Sequence, residues 1–138
     1  MFRVQVDASG FERFIGQFDR AAFAAVEAGA GSLYEFAQDR VNTLYPPSSA
    51  PGEAPHRRSG DGRRSIFFEA QRAPEGLGGP EARCGTTSER LIEQGREDFN
   101  YMAHHETHGR PWLLPSLVDN EGPIGGAMES AAKAGFGV

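Results

Sequence analysis

The stretch HHETHGRPW holds the densest group of chemically capable side chains in the chain, with His104 and His108 four residues apart and His105 and Glu106 between them. On a helix that spacing presents two imidazoles on one face, as a zinc site requires. The order is wrong for a zinc hydrolase, whose His-Glu-x-x-His signature places Glu directly after the first His with two residues before the second. Here Glu106 is followed by one residue before His108, and Gly109 and Pro111 end any helix at once. Outside this group only His56 is left as an imidazole ligand, so polar residues at a turn or subunit contact are the better reading. A small zinc hydrolase is kept as the remote alternative.

The remaining candidates are weaker. Cys84 has no histidine near it in sequence and sits in an expected strand, where a cysteine behaves as a small buried apolar residue. As a lone cysteine it also cannot form an internal disulfide. Ser59-Gly60-Asp61-Gly62 is a glycine-flexed turn without the spacing or the preceding strand of a phosphate loop. Arg57, Arg58, Arg63 and Arg64 crowd around a single acid, Asp61, and suit either acidic or phosphate-bearing partners or a solvated loop. Trp112 stands one residue from Pro111 and three from Pro115, a large ring on a constrained segment that could wedge into a neighbour's pocket or plug this chain's own sheet. No residue set reads as catalytic, and no cofactor or metal is expected.

The elements that position these residues follow from periodicity. Phe2, Val4 and Val6 alternate as in a short strand. Ser9 with Glu12 has capping-box spacing. From there to Leu44, Phe11, Phe14, Ile15, Phe18, Ala22, Ala25, Val26, Leu33, Ala37 and Val41 form one helical stripe. Such a helix spans roughly 50 Å. Gly29 and Gly31 within it mark a bend or a close contact. Tyr45, Pro46 and Pro47 end the helix, and residues 46–64 read as a long extended loop. Ser65 to Arg72 and Glu81 to Thr86 read as a β-hairpin with a broad connection. Leu91 and Ile92 stay unassigned, and Phe99 to His105 fits a helical turn or a strand. Residues 121–138 read as a flexible C-terminal extension with a short frayed helix around Ala127 to Ala134.

A chain of 138 residues suits a single domain. Its 38% apolar content, 18 Gly and 9 Pro indicate a modest core and long irregular connections, so that neighbours complete the packing. The net charge of −5 argues against a surface built to grip DNA or an anionic membrane, and suits a conduit through which DNA passes without sticking. No apolar run approaches a membrane span and the start lacks the pattern of a signal peptide, so folding in bacterial cytoplasm is the expectation.

Three ordered pieces resemble the tail-component family of phage neck proteins, which includes the tail completion and head-tail joining proteins of long-tailed phages. They are the long helix running into Pro46 and Pro47; the segment PPSSAPGEAPHRRSGDGRRSI; and YMAHHETHGRPWLLPSL. In the second, Ser59, Gly60, Arg63, Arg64, Ser65 and Ile66 hold the family pattern, with Gly62 where Leu is usual. In the third it is carried by Tyr101, Ala103, Glu106, Gly109, Arg110, Pro111, Leu113, Pro115 and Leu117, with Met102 inserted and Trp112 in place of Phe. The resemblance covers about residues 9 to 120. It implies an α+β fold with a long N-terminal helix on a small antiparallel sheet, and a non-enzymatic virion protein in a closed ring, commonly sixfold, between tail and DNA-filled head. Neighbouring neck and tail-tube proteins would be its partners, and a tail terminator capping the tube is the alternative. On this reading the assembly contacts are Arg57, Arg58, Arg63, Arg64, Tyr101, Glu106, Arg110, Pro111, Trp112, Leu113 and Pro115. Replacing Trp112 by Ala is then expected to weaken assembly more than folding.

Overall fold

The computed structural model describes residues 9–57, 60–72, 79–87 and 101–137, without the side chains of residues 9–12 and 101. The expected strand at Phe2 to Val6 and the pair Leu91 and Ile92 lie outside the described residues. The architecture is α+β: a long N-terminal helix packs on a two-stranded antiparallel sheet, with further helices around them.

Helix α1 runs from Ser9 to Arg40. It stops four residues short of Leu44 because the chain turns to pair with itself. Tyr45 N donates to Arg57 O at 2.9 Å and Arg57 N to Thr43 O at 2.7 Å, bridging Leu44 to Arg57. The loop expected to extend over 46–64 is therefore a closed arch from Leu44 to Arg57, and its later part is helical, with α2 covering Asp61–Ser65. An arch pinned at its ends satisfies backbone groups that an extended arm would leave to water.

Strands β1, Ile66–Gln71, and β2, Glu81–Thr86, form the expected hairpin, the second with the bounds read from sequence. Their register pairs Ile66 with Thr86, Phe68 with Cys84 and Ala70 with Ala82, placing these six on one face. That face meets α1, where the Phe68 and Tyr34 rings lie 5.2 Å apart between centroids. The opposite face carries Phe67 and two polar pairs, Arg83 paired to Glu69 and Gln71 bonded to Glu81. A lone two-stranded ribbon is marginal in water, so its stability comes from this helix contact.

Helix α3, Tyr101–Thr107, settles the ambiguous Phe99 to His105 segment as helical over its described part. Helix α4 follows at Leu113–Val118, with Pro115 in its first turn, where the missing N–H costs little. The segment around Trp112 thus leads into a helix instead of continuing extended.

The C-terminal segment departs most from expectation. Residues expected to form a flexible extension make a 15-residue helix, α5, over Glu121–Gly135, lying along α1 with Ile124 buried. Small residues permit that approach. A Cβ at Gly135 would sit 2.6 Å from the Ala21 Cα, so the two backbones touch. Gly29 accommodates Met128 in the same way, and Gly31 lies against the Phe68 ring. Gly29 and Gly31 accordingly mark close contacts. Beyond α5, Phe136 sits 6.4 Å from both the Phe14 and Phe18 rings.

The core proper joins Ala37, Val41, Ile66, Met102 and Trp112, with Cys84 and Leu113 packed against it. It lies where the end of α1, the start of β1 and the α3–α4 corner converge, and it holds the candidate site in place.

Candidate functional site

Glu106, in the last turn of α3, aims its carboxylate at the start of α4. Oε2 accepts from the backbone N–H of Trp112 at 2.7 Å and of Leu113 at 2.8 Å, and Oε1 from Leu114 N–H at 2.8 Å. A helix start leaves its first N–H groups without partners and carries partial positive charge, so one carboxylate serves three donors at once. Gly109, at φ 88°, makes the turn that brings α4 back.

Trp112 takes the second of its two expected places. Its side chain is 1% exposed within this chain's core, and Nε1 donates to Met102 O at 2.8 Å. The indole is therefore not offered to a neighbour, which corrects its reading as an apolar anchor and removes the ground for expecting Trp112→Ala to weaken assembly more than folding. The apolar residues that α4 does expose are Leu114, Leu117 and Val118, at 61%, 40% and 53%.

Arg110 bonds through one terminal nitrogen to the carbonyl and, at 2.9 Å, to the hydroxyl of Ser49, and Gly52 N donates to Gly109 O at 2.7 Å. The arch is thereby tied to the α3–α4 corner. Between arch, α2 and α3 lies a cleft of about 380 Å³. Arg57, Arg63 and Arg110 line it, as do His56 and His105, and no Asp or Glu is among its described lining residues. Arg63 is steadied by an exchange with α1: its Nε donates to Gln38 O at 3.3 Å, and Gln38 Nε2 donates back to Arg63 O at 2.8 Å. His56 donates from Nδ1 to Pro47 O at 2.5 Å. The pKa of His105 is lowered from its ordinary value by burial first, then by His104 and by Arg110.

The other expected contact residues are placed differently. Arg64 faces outward and pairs with Asp61. Arg58 lies outside the described residues, as does the Tyr101 side chain. Pro111 is half-buried ahead of α4, and Leu113 packs on the core. Pro115 O accepts from Arg40 at 3.3 Å. Ser65, of the Arg-Arg-Ser-Ile piece, is fully buried, its hydroxyl 2.6 Å from both Gly62 O and Thr86 Oγ1, and it locks α2 to the sheet.

Two groups considered for chemistry have structural surroundings. The rings of His104 and His108 stack at 3.9 Å between centroids, and His108 Nδ1 contacts His104 O at 2.9 Å. Among the described residues no three His, Cys, Asp or Glu side chains converge as metal ligands do. The Cys84 thiol is pushed up to about 11 by burial, which keeps it protonated and unreactive at neutral pH.

Sequence reasoning missed Arg40. From the last turn of α1 it reaches Ser116 Oγ at 3.1 Å and the Asp119 carboxylate at 2.8 Å, besides the Pro115 carbonyl. A cation at a helix C-terminus is an ordinary signal. Its partners, more than seventy residues away, have no local signature. Among the described residues no helix is long and apolar enough to cross a membrane. Compared with known proteins, the chain matches no family model, no curated protein and no solved structure.

Proposed function

We propose that this chain is a structural protein of the head-to-tail junction of a tailed bacteriophage or phage-derived particle, one copy in a closed ring that joins the tail to the DNA-filled head. The observation that carries the reading is the ordered resemblance over about residues 9 to 120. Its residues have scaffolding roles in the fold. Glu106 caps α4, Gly109 turns the chain, Arg110 holds the arch and Ser65 locks α2 to the sheet. That supports a pattern required by shape and not by catalysis.

A ring needs two different surfaces per subunit that fit one another when repeated around an axis. Besides Leu44, Tyr45 and Phe68, exposed large apolar side chains group at two separated places among the described residues, Phe14, Ile15 and Phe18 near the start of α1, and Leu114, Leu117 and Val118 on α4 beside its end. Scattered apolar residues are normal on a surface, but runs at helical spacing form stripes suited to a subunit contact. The charge of −5 fits a passage for DNA without adhesion.

The test is electron microscopy of particles made after deleting the gene from its host element. Filled heads beside unattached tails of normal length are expected. Overlong tails would reassign the chain to terminating the tail tube, and intact particles would remove it from the junction altogether.

A further inference from the structure

In a chain that carries five more acids than bases, three arginines line one cleft whose described lining holds no carboxylate. The acids nearest in sequence are engaged elsewhere: Asp61 by Arg64, Glu53 by the Ala50 N–H, and Glu106 by the start of α4. The Arg57 side chain has no hydrogen-bonded partner among the described residues, and its Cδ lies beside Gly60, which also lines the cleft. Arg63 and Arg110 are anchored by bonds that use only part of their five N–H donors, so each is held in place with donors to spare. A concave surface lined by one sign of charge focuses its field, and fixed guanidinium forks match the two oxygens of a carboxylate.

We propose that this cleft is a docking site for an acidic peptide segment of a partner protein, with Arg57, Arg63 and Arg110 receiving its Asp or Glu side chains. The occupant is a peptide and not a nucleic-acid duplex because a cleft of about 380 Å³ has room for one or two side chains but none for a duplex. The pKa of His105 is depressed first by burial, and the positive charges of His104 and Arg110 add to that. The inference stands on this geometry alone and does not depend on the phage reading.

The experiment is a titration of the ¹⁵N-labelled full chain with tetraglutamate, followed by amide shifts, with inorganic phosphate and a single-stranded hexanucleotide as comparison probes. Tetraglutamate is expected to move the amides of Ser49, Arg57, Gly60, Gly62, Arg63 and Arg110 selectively and to bind at least tenfold tighter than either comparison probe. Affinity should fall with added salt. Arg57→Gln should weaken tetraglutamate at least fivefold, and Arg57→Glu should abolish its binding, with both variants keeping the parent melting temperature because the Arg57 side chain makes no hydrogen bond or ion pair with the described residues. Shifts scattered over the surface, no shifts at millimolar tetraglutamate, unchanged affinity in a folded Arg57→Glu chain, or equal or tighter binding of the oligonucleotide or of phosphate would each overturn the assignment.

Discussion

Trp112 shows how a side chain's chemistry can be read correctly and its address missed. A large ring flanked by prolines calls for a pocket in either of the two places considered, and the pocket proves to be this chain's own core, closed by the bond to Met102 O. Truncation removes a ring that is 1% exposed together with its hydrogen bond, so Trp112→Ala is expected to cost about 3–5 kcal/mol of folding stability, measured by urea denaturation. Trp112→Phe keeps most of the volume and should cost about 1–2 kcal/mol, chiefly for leaving the Met102 carbonyl without its donor. A Trp112→Ala chain as stable as the parent would contradict the packing described. Glu106 teaches the converse. Its carboxylate beside histidines suggests chemistry, but its oxygens are saturated by three backbone donors, a use that depends on the turn at Gly109 and has no signature in residue type.

At the scale of elements, α1 and the hairpin were legible because each repeats its burial period often enough to be counted. The arch and α5 were not. The arch depends on backbone pairing between Leu44 and Arg57, and backbone groups are common to every residue. Helix α5 has weak propensity, with Gly122, Gly125 and Gly126 in its first half, and it forms because it packs against α1. The same glycines look like poor helix formers and differ in what surrounds them. Gly125→Ala meets open space and should stabilise the chain by up to about 1 kcal/mol through helix propensity. Gly135→Ala gains that propensity term too, but its methyl would press 2.6 Å from the Ala21 Cα, and forced separation of packed backbones costs about 1–3 kcal/mol. The overlap wins, so a lower melting temperature is expected for Gly135→Ala and a higher one for Gly125→Ala. Equal shifts for the two would mean that α5 does not lie on α1.

For the whole molecule, the modest apolar content foresaw a small core, and the described residues bury only eight apolar side chains to below a tenth of their exposure. The apolar stripes left outside bear on assembly. Leu114 is 61% exposed, so Leu114→Asp should change folding stability by no more than about 0.5 kcal/mol. If the chain forms the proposed ring and α4 meets a neighbour in it, the same substitution lowers the sedimentation coefficient towards that of a monomer. An unchanged assembly would place the contact elsewhere. The pairing of α1 with α5, and of Arg40 with Ser116 and Asp119, also bears on how the molecule is made. The side of the first helix that meets α5 is covered by a segment the ribosome produces only after the hairpin and everything else between Arg40 and Ser116, so that side must wait uncovered during synthesis. Late closure of this kind leaves that surface open to other chains for as long as translation lasts.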